Sequence, residues 1–495
     1  MRLILSILFL TFINSFSYSS VAHKLPILKI YFEGSITADM PYANGSMKLT
    51  DVDGALVELP AKFKTRGATA RQYMSKPSLN MKLRSQDYSE EVDSALLGMR
   101  SCSSWILDAM AIDRICMRNR VAFDIWNEFS RLPYETKFDG RNGTEGRFIE
   151  LYINEKYYGI YCLSDRINRK LLDLKKVQEK EDGSVVIRGA LYKSGTQDIS
   201  NQNEPCYNED SSACVVAWHD AWELTYPDEY GCLQAWEPLQ DAILNGMSAS
   251  YVKKYFFLEN LADYQLLIMA LAIEDNWGNK NRFFSVRNIT KNINDPDPTE
   301  ADRRRFVITP WDLDTSLGGR YDGAYYDGNY TVWPMVNFFN NAPYPFFPVI
   351  GDADYLKILK QRWIEGRNGA FSVQSIFNKL EKYRDLFIQS GAWQRMTEHF
   401  GAQNSSPKLV LDLTREIFLI EQWYVNRFLE MDDFFGIPRT QEVIDNVNVN
   451  VNDKGNNGSA IYDLSGRKIM FNVQCSMFNG LKKGIYIQNG RKYLY

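Results

Sequence analysis

Apolar and polar positions alternate from Pro26 to Phe32, which predicts a strand. Lys48-Leu49-Thr50 and Leu56-Val57-Glu58-Leu59 flank the turn signal Asp51-Val52-Asp53-Gly54 and predict a hairpin. Leu79, Met81 and Leu83 then share one strand face, with Asn80 and Lys82 on the other. This opening region predicts an antiparallel sheet. From Trp105 to Phe129 the apolar positions Ile106, Met110, Ile115, Ala122 and Ile125 recur near helical spacing and predict a helix. Arg147 to Ile153 and Tyr157 to Leu163, rich in aromatic and β-branched residues around Asn154-Glu155-Lys156, predict a strand pair. Ile167 to Lys176 turns helical and basic, and Val185-Val186-Ile187 is a short strand. Gln197 to Ser212 has the polarity of an inserted loop.

The period becomes helical again from Ala249 to Ile273, then in two amphipathic stretches, Tyr355 to Phe400 and Leu409 to Met431. Gly318 to Asn341, rich in Gly, Tyr and Asn, has the composition that predicts an exposed loop. After Thr440 the texture changes. Residues 441–458 are dominated by Asn, Val, Gly and Asp, as a linker is. Short strands follow at Ala460 to Leu464 and Gly484 to Ile487, and Asn489-Gly490 is a hairpin signal.

Two polar knots interrupt this pattern where apolar elements end. The first, Glu274-Asp275-Asn276-Trp277-Gly278-Asn279-Lys280-Asn281, follows the buried helix. The second, Pro310-Trp311-Asp312-Leu313-Asp314, follows the buried strand Phe306-Val307-Ile308. Carboxylates and amides are expensive beside a core without partners. Two such clusters point to one shared load, and Asp and Asn oxygens suit a hard ion such as magnesium. Either knot alone has the residues of an ordinary turn or helix cap.

Composition narrows the classes. The 495 residues are 45% hydrophobic, 14% aromatic and 24% charged, a core-forming mixture, and the formal net charge of −4 offers no general attraction for nucleic acid. Arg2, the apolar run Leu3 to Ile13 and Ser20-Val21-Ala22 have the layout of an export signal over residues 1–22. That run is too short to span a bilayer, and no other run is long enough. Of seven Cys, Cys206 and Cys214 are spaced to close a small loop, and no C-x-x-C pair suggests a zinc knot. The three His lie in no recognisable motif.

In order along the chain come Thr65-Arg66-Gly67-Ala68-Thr69, Ser75-Lys76-Pro77, Leu96-Leu97-Gly98-Met99, Trp105-Ile106-Leu107, Asp113-Arg114, Arg118-Asn119, the strand pair from Glu150 to Tyr161, and the two knots. This series resembles the CotH kinase family, atypical kinases with a distant protein-kinase-like fold, over roughly Pro26 to Met431. The chain departs from the family at Ala68, at the single Lys76 where two adjacent lysines are usual, and at Asp165, where the strand pair usually ends in Glu. The resemblance implies an α+β fold, bilobal and distantly kinase-like, with a small C-terminal β domain. The expected organisation is a signal (1–22), an N-terminal β-rich lobe (23–165), a helical catalytic lobe (166–440), a linker (441–458) and a sorting-type β tail (459–495). Ile461 to Arg467 and Lys483 to Ile487 are similar to attachment tails on secreted proteins of Gram-negative bacteria.

Phosphoryl transfer depends on positioning and charge neutralisation. A kinase-like reading, with ATP and magnesium, makes Asp312 the metal-binding acid, with Asp314 as second candidate, and Asp275 the acid that accepts or orients the hydroxyl proton. Asn281 completes the metal shell, with Asn279 as alternative at a spacing nearer that of ordinary kinases. Lys76 or Lys82 holds the α- and β-phosphates, Arg66 adds a phosphate contact, and Asp165 belongs to the nucleotide end. The expected acceptor is a secreted or surface protein of a bacterium. Two other readings stand beside this one. One is a non-catalytic surface adhesin, for which loops such as Tyr325-Tyr326-Asp327-Gly328-Asn329-Tyr330 could serve as contacts. The other is a metal-dependent glycosyltransferase, suggested by the acid-x-acid form of Asp312-Leu313-Asp314.

Overall fold

The computed structural model describes residues 24–67, 75–136, 140–194, 222–227, 233–245, 248–276, 281–290, 304–320, 339, 345–346, 348–401 and 409–438, and the backbone of four strands beyond 460. The signal segment 1–22, Ala68, Thr69, His219, Cys206, Cys214, Cys232, Cys475, Asn279, residues 321–338 and the linker 441–458 lie outside the described residues.

Alternating sequence in the first part of the chain produces a closed barrel. Its strands are β1 (Ile27–Phe32), β2 (Ala43–Thr50), β3 (Leu56–Thr65), β4 (Leu79–Leu83), β5 (Ser104–Asp108), β6 (Gly146–Ile153) and β7 (Lys156–Asp165). The order around the barrel is β1-β2-β3-β4-β5-β7-β6. Neighbours are antiparallel except where β1 runs parallel to β6, with Leu28 opposite Leu151, and closes the ring. Closure removes the free edges an open sheet would expose. Leu28, Ile30, Met47, Phe63, Met81 and Leu151 fill the interior. This corrects the expectation of a kinase-like bilobal arrangement. The fold is α+β, but its N-terminal part is a seven-stranded barrel, because the register of β1 against β6 lets the sheet meet itself.

The second core is helical, with a sheet of its own. α1 (Arg118–Phe129) leaves the barrel after β5. Two strand residues each form β8 (Gln178–Glu179) and β9 (Val185–Val186). β10 (Ala190–Ser194), β11 (Trp222–Tyr226), β12 (Arg282–Val286) and β13 (Phe306–Pro310) make a sheet of order β11-β10-β12-β13. The helices are α2 (Leu233–Asn245), α3 (Ala249–Tyr255), α4 (Leu258–Leu271), α5 (Ala353–Arg367), α6 (Val373–Gln389), α7 (Ala392–Phe400) and α8 (Leu413–Phe434). The outer face of β6 and β7 joins this body to the barrel. Phe148 packs edge-on against Tyr383 and Phe387, and Glu150 pairs with Arg395 at 2.6 Å. Four further strands, β14 (Ile461–Asp463), β15 (Lys468–Met470), β16 (Ile485–Gln488) and β17 (Arg491–Leu494), pair in the order β15-β14-β16-β17. Among the described residues no helix is long and apolar enough to cross a membrane.

Two sequence expectations change. Trp105-Ile106-Leu107 is the middle of β5, and the helix starts only at Arg118. A short apolar run has the same periodicity in either state, and pairing with β4 and β7 decided for strand. Ile167 to Lys176 forms turns, not a helix. Ile167, Leu171, Leu172 and Leu174 are nonetheless buried in a small cluster of their own with Phe283, so burial came without regular structure.

The helical core contains a test of its own energetics. Glu421, on α8, is 3% exposed, and burial pushes its carboxyl up to about 8, against the opposing pull of Arg384. The folded chain therefore holds a proton that the unfolded chain, with an ordinary value of 4.5, has released. Stability from this group is complete below that ordinary value and is lost as pH rises through about 8. Glu421→Gln is expected to raise unfolding free energy at pH 8.5 by on the order of 2–4 kcal/mol and to change it little near pH 4. Denaturant titrations at both pH values check this, and parallel pH profiles for the two proteins would refute it.

Candidate functional site

β13 is an edge strand of its four-stranded sheet, and side chains clamp it where another strand would pair. Asn260, on α4, donates from Nδ2 to the Ile308 carbonyl (3.0 Å) and accepts from the Ile308 amide at Oδ1 (2.7 Å). Asn142 donates to the same carbonyl at 3.0 Å and accepts from Thr309 Oγ1 at 2.5 Å. A buried amide thus stands in for a ladder partner and satisfies backbone groups that would otherwise be costly. The clamp fixes the strand that delivers the second knot.

α4 is apolar on nearly every face, so it runs through the core and delivers the first knot from inside. It ends at Ala272, which takes the left-handed conformation (φ 50°). A 3₁₀ turn, Glu274–Asn276, follows. Asn281 and Asp312 are also left-handed, with φ of 60° and 58°. Such backbone is mildly strained for residues other than Gly and persists where the surroundings enforce it.

Those surroundings are hydrogen bonds between the two knots. Asn276, fully buried, donates from Nδ2 to the carbonyls of both Asn281 (2.9 Å) and Trp311 (2.8 Å). The Trp311 amide donates to the Asn281 carbonyl at 3.0 Å. The Asp275 amide donates to Thr315 Oγ1 at 3.2 Å, and the Leu317 amide to the Leu271 carbonyl at 2.8 Å. Asn281 Nδ2 donates to Asp275 Oδ2 at 2.8 Å. The knots, separated by some thirty residues in sequence, are one structural unit.

The barrel contributes a third acid. Asp108 ends β5, accepts from the Met110 amide (3.1 Å), and accepts from Asn119 Nδ2 (2.8 Å). Asn119 in turn accepts from the Leu313 amide at 3.0 Å, so one side chain on α1 ties the barrel acid to the second knot. Burial and the nearby charges of Asp275 and Asp108 push the Asp312 carboxyl up to about 6, while Arg66 and Lys193 pull it down. Asp314 is also pushed up, by burial first and then by Asp312, Asp108, Asp275 and Asp113. Asp312 and Asp314 therefore lie within electrostatic reach of each other and of Asp108 and Asp275, acids delivered by three elements. Among the described residues no three acidic, His or Cys side chains already stand at the spacing that holds a metal ion. The donor chemistry fits a hard divalent cation even so. Crowded carboxylate oxygens with raised proton affinity are stabilised by a positive charge among them.

Cations face these acids. Arg66 follows β3, its amide held by the Ser78 carbonyl at 3.0 Å, and its guanidinium carbon lies 5.0 Å from the centre of the Trp311 ring. Lys193, on β10, lies 6.0 Å from the same ring. Arg66, which the sequence assigned to a phosphate contact, lies within electrostatic reach of Asp312. Lys76 is fully buried behind the acids. Its ammonium donates to the Ala109 carbonyl, lies 3.8 Å from Cys116 Sγ and sits over the Tyr161 ring at 5.1 Å. Burial lowers its proton affinity, against the opposing pull of Cys116, Asp108 and Asp113. Lys82 lies elsewhere, on the outer face of β4, paired with Glu91 at 3.3 Å and 5.4 Å from the Tyr42 ring. Asp165 is buried and committed to structure, accepting from Arg100 Nε (2.6 Å) and the Glu145 amide (2.8 Å). Of the candidates, Asp275, Asn281, Asp312, Asp314 and Arg66 come together, Lys76 borders them, and Lys82 and Asp165 do not join them.

The sequence singled out neither Asp108 nor Lys193, and it marked Asn119 and Asn276 only as members of motifs, without a role. Asp108 carries one local signal, a polar residue ending the apolar run Trp105-Ile106-Leu107. Nothing in the spacing marks Lys193, since only the pairing of β10 with β12 brings it to Trp311.

Comparison with known families gives a single finding. A family model described as CotH kinase protein matches residues 63–407, from within β3 to just past α7 and so across every residue of this cluster. No curated protein matches the chain.

Proposed function

The chain belongs to the CotH kinase family, and from that membership we propose that it is an exported atypical protein kinase that transfers the γ-phosphate of ATP to a Ser or Thr hydroxyl of a secreted or surface protein. The observation that carries the proposal is the neighbourhood of Asp312. Two further acids, Asp275 and Asp108, and two cations, Arg66 and Lys193, act on it from separate elements. A metal-bound polyphosphate needs this mixture, acids for the ion and cations for the phosphate oxygens.

In this reading Asp312 and Asp314, with Asn281, hold magnesium, which when bound neutralises phosphate charge. Asp275 takes the hydroxyl proton. The hydroxyl oxygen forms a bond to the γ-phosphorus as the bond from that phosphorus to the bridging oxygen breaks, and ADP leaves with the bond's electron pair. Asn281 orients the base through its 2.8 Å bond to Asp275 Oδ2. Arg66 contacts phosphate. Lys76 acts from behind, supporting the turn after Asp108 through the Ala109 carbonyl. The segment 1–22 and the tail 459–495 belong to export and attachment to a bacterial cell surface and take no part in the chemistry.

The test is incubation of the purified full chain with γ-labelled ATP and magnesium, alone and with proteins secreted by the same cells. Label on Ser or Thr, of the chain or of a secreted protein, is the expected result. If the chain binds no ATP and transfers no label, the surface-adhesin reading replaces this one. Turnover of a nucleotide-sugar instead of ATP would point to the glycosyltransferase.

A further inference from the structure

Positive charge from two places in the chain flanks Trp311, and a third cation, Arg166, lies within electrostatic reach of both. Arg66 leaves the barrel after β3, Arg166 follows β7, and Lys193 stands on β10. Arg66 and Lys193 approach the ring at 5.0 and 6.0 Å. The three cations also crowd one another. Burial lowers the proton affinity of Lys193, and Arg66 and Arg166 lower it further. Glu223 and Asp312 oppose this at Lys193, and Arg66 is lowered by burial and by Arg166 against the stronger pull of Asp108 and Asp312. Like charges brought together from separate elements cost stability in the free protein, and the sequence could have avoided that cost with neutral residues. An anion relieves it. Asp312 lies within electrostatic reach of Arg66 and Lys193, and of the acids Asp275 and Asp108. A ligand that satisfies both sides carries several negative charges and a divalent cation.

Lys193 already has one weak partner. Glu223, on the neighbouring strand β11, lies across from it in the ladder, with Oε2 at 3.9 Å from the ammonium. Glu223 is exposed, and an exposed pair at that distance contributes about 1 kcal/mol or less. It is a counter-ion that a phosphate group can displace.

We propose that Arg66 and Lys193 beside Trp311 form the clamp for the phosphate chain of a nucleoside polyphosphate, with Lys193 as its principal cation, Arg166 adding positive charge nearby, and Glu223 as the counter-ion that the ligand displaces. This deepens the kinase reading and rests on it for the nucleotide, but the clamp itself is defined by phosphate chemistry. It assigns to Lys193 the role for which the sequence offered Lys76 and Lys82.

Calorimetric titration of the full-length protein with inorganic tripolyphosphate and, separately, with ATP and magnesium tests it. Lys193→Gln is expected to weaken both ligands by about 10- to 100-fold, the range for losing a charge-assisted bond. Lys193→Arg should restore most of the affinity, and Lys48→Gln, a lysine on the outer barrel paired with Glu58, should leave it unchanged. Glu223→Gln should tighten binding by up to about fivefold, because the competing carboxylate is gone. Melting temperatures of the variants confirm that each is folded. Binding of both ligands at wild-type strength by Lys193→Gln overturns the clamp and leaves the kinase reading standing. Binding of tripolyphosphate that depends on Lys193, with no binding of ATP, upholds the clamp and overturns the kinase reading. Failure of the wild-type chain to bind either ligand overturns both.

Discussion

Asp312→Asn is expected to weaken magnesium-dependent ATP binding by at least about tenfold and to remove most phosphoryl transfer, whereas Asp275→Asn should leave ATP affinity within about twofold and lower turnover by about 10²- to 10⁴-fold. The difference follows from position. Asp312 stands between acids and cations, at a left-handed backbone position that the Asn276 and Asn119 hydrogen bonds enforce. Replacing its carboxylate removes one full negative charge from the donor set while keeping its size, so the loss falls on the ion and on the phosphates it organises. Asp275 makes a different contribution. Its Oδ2 accepts from Asn281, and an amide at 275 retains an oxygen for that bond. The knot should stay in place with no group left to accept the hydroxyl proton. Binding isotherms and single-turnover rates separate the two variants. Equal small effects on both quantities would show that the roles are not divided in this way.

Asp113→Ala is expected to lower the stability of the whole chain by about 3–5 kcal/mol, because it removes a buried carboxylate that both pairs with the buried Arg118 guanidinium and accepts from three backbone amides. Asp113 is 3% exposed and caps the start of α1. It accepts from the amides of Met117 and Arg118, each at 2.7 Å, and from that of Ile115 at 3.2 Å, and it pairs with the Arg118 guanidinium, itself 1% exposed. α1 begins at Arg118, and Asn119, its next residue, connects Asp108 to the second knot. The cap therefore positions the barrel acid as well as the helix. Denaturant unfolding measures the loss. Asp113→Asn, which keeps an oxygen acceptor for the amides, should cost less than Asp113→Ala. A change below about 1 kcal/mol for the Ala variant would mean that Arg118 finds another partner and that the cap is dispensable.

Much of this was legible in the sequence wherever one element's own pattern decided its state. The strand pair around Asn154 and Glu155, the helix leading to Ile273 and the strand ending at Pro310 have clear periodicity, and the two knots announce themselves as polar residues at apolar ends. Closure of the barrel was not legible, because it depends on the parallel register of β1 with β6, strands more than a hundred residues apart. Local propensity contains no information about that pairing. The same limit explains Trp105 to Leu107, where an apolar run long enough for a helical turn was taken up by a sheet with two waiting edges. In the site, acidic residues stood out because they are costly beside a core, whereas the cations that answer them did not. Lys82 had the right alternation and the wrong side of the barrel. Lys193 had no motif, and only the order β11-β10-β12-β13 brings it to Trp311.

In the proposed mechanism the two knots, with Asp108 and the cations around Trp311, act as one site for a metal-bound polyphosphate. Equilibrium binding of ATP to the purified full-length chain, measured with magnesium and again with a chelator, decides whether they do. Saturable one-to-one binding that weakens by at least about tenfold without magnesium is expected, with an Asp312→Asn protein that no longer responds to the ion. ATP binding indifferent both to magnesium and to Asp312→Asn, or no binding at all, would contradict it.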